Sequence, residues 1–69
     1  MTEQLRNRYE LLEHRFDDKV EQVRCARNLA VQQGTEKEAL CLEYVARYWE
    51  TFRDVTAAIL AGKVKPVAQ

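Results

Sequence analysis

The chain is poor in residues that break helices. Its 69 residues include one proline, Pro66, and two glycines, Gly34 and Gly62. No proline or glycine interrupts the chain before Gly34, which leaves room for a long uninterrupted helix. Histidine is equally scarce, with His14 the single example. Two cysteines, Cys25 and Cys41, are too few for a disulfide framework. A zinc site takes about four ligands, which two thiols and one distant imidazole do not supply, so no metal or cofactor is expected. Neither charge is in excess, because 11 basic residues balance 11 acidic ones. Nucleic-acid binders and polybasic membrane anchors ordinarily carry a basic surplus, so the balance weighs against both. No apolar run approaches the roughly 20 residues of a membrane span, and no signal peptide is legible. The expected location is the cytoplasm.

Helical periodicity fills the space these absences leave. Thr2 can cap a first helix, with Glu3 complementing its N-terminal dipole. From there Leu5, Tyr9, Leu12, Phe16, Val23, Ala26 and Ala30 advance in steps of four and three, with Lys19 the one polar interruption. Gly34 suits the left-handed residue that ends a helix, and Thr35 with Glu38 reads as a capping box opening the next. The stepping resumes at Cys41, Val45, Tyr48, Phe52, Val55 and Ile59, and Gly62 offers a second stop. The predicted fold is all-α: an antiparallel two-helix hairpin with helices over about 3–33 and about 36–61. The hairpin domain covers residues 1–62, and residues 63–69 are expected to form a flexible C-terminal tail.

Folding at Gly34 sets the two seams against each other. The expected layers are Val23 with Val45, Phe16 with Phe52, Leu12 with Val55, Tyr9 with Ile59 and Ala26 with Cys41. Lys19 would then face Tyr48, its stem packed and its ammonium in water. One seam does not use all the large residues. Leu42, Trp49 and Leu60 widen the stripe of the second helix, and Val20, Arg27 and Val31 that of the first. A partner-binding face of Leu42, Val45, Trp49, Phe52, Leu60 and Val20 is therefore expected, with Trp49 as its anchor. The partner is another protein or a second copy, and self-association through this face would give a four-helix bundle.

Catalytic chemistry has little to work with. His14 lies opposite the seam among Glu10, Glu13, Asp17 and Asp18, on a straight helix that offers no concave site. These carboxylates face outward and lack the Glu-x-x-His pattern of di-metal bundles, so they read as a solvated surface with ordinary pairs such as Glu21–Arg24 and Glu43–Arg47. Cys41 falls on the expected seam and Cys25 to one side of it. The pair is poorly aimed for a disulfide, and free thiols, buried or semi-buried, are expected. Arg6, Arg8, Arg15, Arg24 and Arg27 are interleaved with acids, so no clean basic stripe is legible for phosphate. An enzyme is not expected.

In its length, its near-central Gly34-Thr35 turn, its two flanking helices and its short tail after Gly62, the chain resembles the small helical-hairpin co-chaperones of type III secretion needle subunits. The resemblance is architectural and carries over no individual residue. It implies pairing with a helical-repeat chaperone and protection of a needle subunit from early polymerisation. The expected role is thus a non-enzymatic protein-interaction module, a small co-chaperone or adaptor that shields a helical partner through an apolar face. The alternative is a homodimeric helical-hairpin regulator binding structured RNA or DNA, an architecture shared by plasmid copy-control proteins.

Overall fold

A computed structural model describes residues 1–65, which form a rod 48 Å long and 18 by 16 Å across. Two helices make it: α1 runs from Glu3 to Gln32 and α2 from Glu36 to Leu60. They pack side by side as an antiparallel hairpin, all-α as the periodicity predicts, with ends within one residue of the expected ones. The expected tail falls partly on residues 66–69, outside the described residues. Thr2 caps α1 as expected, its hydroxyl accepting from the Leu5 amide at 3.2 Å.

The turn is built around Gly34. Its φ of +77° places it in the left-handed region, which glycine enters without a steric cost. The Gly34 amide donates to the Val31 carbonyl at 3.1 Å and the Thr35 amide to the Ala30 carbonyl at 3.0 Å. This pair of bonds closes the last turn of α1. Gly62 repeats the device at the end of α2, with φ +76° and matching bonds from Gly62 to Ile59 and from Lys63 to Ala58.

The capping box at Thr35 does not form. Thr35 precedes α2 but gives it no side-chain cap; its hydroxyl instead donates to the Ala30 carbonyl at 3.0 Å. The link is only Gln33, Gly34 and Thr35, so one residue must both close α1 and open α2. Its single hydroxyl serves the first task. Glu36 and Glu38, in the first turn of α2, still favour the N-terminal dipole.

The core is thin and is made mostly of small residues. Val20, Ala30, Ala39, Ala46 and Ile59 are buried, together with Thr56, whose hydroxyl donates to the Phe52 carbonyl at 2.8 Å. Small side chains at Ala30, Ala39 and Ala46 let the helices approach closely beside the short turn. Toward the open end the space is filled by a tilted cluster of rings. The Phe16 centroid lies 5.8 Å from both Trp49 and Phe52, and Trp49 meets Phe52 edge-on at 6.0 Å. The expected opposition of Phe16 and Phe52 is therefore present.

Candidate interaction face

The two helices turn different faces to each other from those the strongest hydrophobic pattern suggests. On α2 the residues against α1 step through Ala39, Leu42, Ala46, Trp49, Arg53, Thr56 and Leu60, all buried or half-buried. On α1 the facing positions include Tyr9, Phe16, Val20, Val23, Arg27 and Ala30, again buried or half-buried. The expected seam of α2 lies beside this line. Val45 is 40% exposed, Tyr48 67%, Phe52 49% and Val55 47%; Cys41 is also exposed, and of that series only Ile59 is buried. Thus α2 carries two adjacent heptad stripes, and α1 covers the one that is smaller and more polar.

This rotation redistributes the expected partner-binding residues. Val20, at 6% exposure, is core and is closed to a partner. Leu42, Trp49 and Leu60 are half-buried at the helix–helix seam, and Trp49 spends its ring on Phe16 and Phe52. Val45 and Phe52 remain about half exposed, joined by Tyr48 and Val55, whose place in the heptad stepping predicts the interior. The layers Val23–Val45 and Leu12–Val55 do not close, because one member or both stand exposed. Ala26 and Cys41 are exposed rather than paired, and both cysteines are free as expected but exposed, neither buried nor semi-buried.

One long side of the hairpin is stitched by charge. Arg24 pairs with Glu50, Arg27 with Glu43, and Arg53 with Asp17 at 3.0 Å. Arg27 and Arg53 occupy seam positions; their stems lie between the helices and their guanidinium groups reach outward. The hydrogen bond from Arg27 holds the Glu43 carboxyl below its ordinary range, against the opposing effect of burial and with help from the charges of Arg27, Arg24 and Arg47. The bond to Asp17 raises the Arg53 value in the same way, with partial burial opposing. Glu43 also keeps its expected partner Arg47 at 3.6 Å, whereas Arg24, expected to pair with Glu21, reaches across to Glu50. Half-exposed pairs of this kind contribute about 0.2–1 kcal/mol each. Their main effect is to fix which sides of the helices meet.

The other long side is apolar. Going round each helix away from the ion pairs leads to Leu12, Lys19 and Ala26 on α1 and to Val45, Tyr48, Phe52 and Val55 on α2. The result is a shallow groove that no side chain among the described residues is laid across. From Cys41 to Ile59 it extends about 27 Å at 1.5 Å per residue. Among the described residues, no three His, Cys, Asp or Glu side chains gather as metal ligands, and no helix is long and apolar enough to cross a membrane. Protein-family models, curated proteins and solved structures give no match to this chain.

Proposed function

We propose that this hairpin is a non-enzymatic interaction module that covers an apolar helix of another protein with the outer stripe of α2. The observation that carries the reading is the unbroken spacing of Val45, Tyr48, Phe52 and Val55 together with their exposure. Heptad spacing is the pattern one helix uses to receive another. Scattered surface apolar residues need no explanation, but a contiguous stripe does. The architectural resemblance to needle-subunit co-chaperones suggests a role for such a surface: an adaptor or co-chaperone holding an assembly-prone helical partner in a capped state, by equilibrium burial and without turnover.

The test is binding of a fluorescent synthetic amphipathic helix of about 20 residues, long enough to span the stripe. Anisotropy should rise with the wild-type chain and stay flat with Tyr48→Asp, a stripe position 67% exposed and outside the ring cluster, while circular dichroism shows that the variant keeps its helices. Equal binding by both chains would refute the assignment of this face.

A further inference from the structure

The groove has a charged rim of one sign. On α1 the row bordering it runs Arg8, Leu12, Arg15, Lys19, Gln22 and Ala26, in steps of four, three, four, three and four. All six are exposed, and the row contains no carboxylate. The acidic residues of α1 sit elsewhere around the helix: Glu10, Asp17 and Glu21 fall on the side where the ion pairs form. The ion pairs among the described residues use Arg6, Arg24, Arg27, Arg47 and Arg53. Arg8, Arg15 and Lys19 take part in none. On α2 the outer border of the stripe is Tyr44, Tyr48, Thr51 and Val55, again without a carboxylate, and Glu38 is the one acid in line with the stripe, at its turn end. A chain with no net charge thus sorts its charges, with paired ions along one long side and unpaired cations along the other.

From this sorting we infer that the occupant of the groove is an amphipathic helix whose apolar seam is flanked by acidic residues, with Arg8, Arg15 and Lys19 supplying the counter-charge. The inference rests on the reading of this face as a helix-binding surface and adds the chemistry of the partner. A second copy fits less well. Two hairpins packed face to face would set the cationic row of α1 against the same row of its mate, or against the outer border of α2. Neither offers a carboxylate, and like charges at a rim oppose pairing. An acid-flanked helix satisfies both the apolar stripe and its border.

Two synthetic helices with one apolar seam test it, one bearing glutamate and the other lysine at the flanking positions. Rim pairs are individually weak, so three of them should favour the glutamate helix by about tenfold, a preference that salt at about 0.3 M erodes. The variant carrying Arg8→Glu, Arg15→Glu and Lys19→Glu should reverse the preference; all three positions are exposed, so the fold is retained. Equal affinity for the two helices, with binding still lost in Tyr48→Asp, would overturn the charge inference and leave the interaction face standing. Sedimentation at twice the 8.1 kDa chain mass, abolished by Tyr48→Asp and accompanied by no binding of either helix, would overturn it in favour of a second copy. Binding of anionic phosphatidylglycerol vesicles or of an RNA stem-loop in preference to the glutamate helix would also overturn it.

Discussion

Trp49→Ala should cost most of the stability of this chain, while Tyr48→Ala, one position away, should cost almost none. Fully buried tryptophan loses about 3–5 kcal/mol on truncation, and the half-buried Trp49 accordingly about 2 kcal/mol. Its contacts with Phe16 and Phe52, at 5.8 and 6.0 Å between centroids, add about 0.5 kcal/mol each at the low end for aromatic pairs. The total of about 3 kcal/mol compares with the roughly 3–5 kcal/mol that a core of this size supplies. It lowers the folding equilibrium constant by about a hundredfold. Tyr48, 67% exposed, should change stability by no more than about 0.5 kcal/mol. Urea denaturation followed by circular dichroism measures both. If Tyr48→Ala lowers the midpoint more than Trp49→Ala does, α2 presents its outer stripe to α1, and the assignment of the two stripes is wrong.

Gly34→Ala meets no atom within 4 Å but must hold an alanine at φ +77°; denaturant titration should register a loss of about 1–2 kcal/mol. Thr35→Ala should cost about 0.5–1.5 kcal/mol through the lost bond to Ala30, with Thr35→Ser recovering most of it. Glu38→Gln should lose no more than the dipole interaction of about 0.3–1 kcal/mol in a thermal melt, because no capping box depends on it. The lowered Glu43 value stabilises the fold fully above the ordinary 4.5 and stops doing so as the pH falls through the lowered value. Thermal melts should therefore weaken on acidification below 4.5, and Glu43→Gln should flatten that part of the profile while lowering Tm at neutral pH.

The helices, their ends and the glycine turn were legible because periodicity and Gly34 speak directly about the backbone. The rotation of α2 was not. Ranking its positions by size selects Cys41, Val45, Tyr48, Phe52, Val55 and Ile59, but a three-residue link brings the helix axes close. Close axes favour Ala39 and Ala46 at the contact over larger side chains. The signal was present in the second stepping series, Ala39-Leu42-Ala46-Trp49-Arg53-Thr56-Leu60. It was present also in the opposed charges of Arg24 with Glu50, Arg27 with Glu43 and Asp17 with Arg53. An arginine in a seam reads as an error in a hydrophobic pattern, yet Arg27 and Arg53 are where the two helices are tied together. The cationic row was hidden for a related reason. In linear order the basic residues of α1 alternate with acids, and only the helix surface separates Arg8, Arg15 and Lys19 from them.

The double stripe of α2 divides the burden of sequence change unequally between the halves of the chain. Facing α1 on one stripe and open to a partner on the other, α2 keeps only a narrow strip, near Leu40, Arg47 and Asp54, where replacement touches neither contact. Helix α1 has a wet back around His14, Asp18 and Cys25 that can drift freely so long as Phe16, Val20 and Ala30 hold their places. Related hairpins should therefore diverge fastest in α1, and a search keyed to the spacing within α2 would find them where whole-chain similarity has faded.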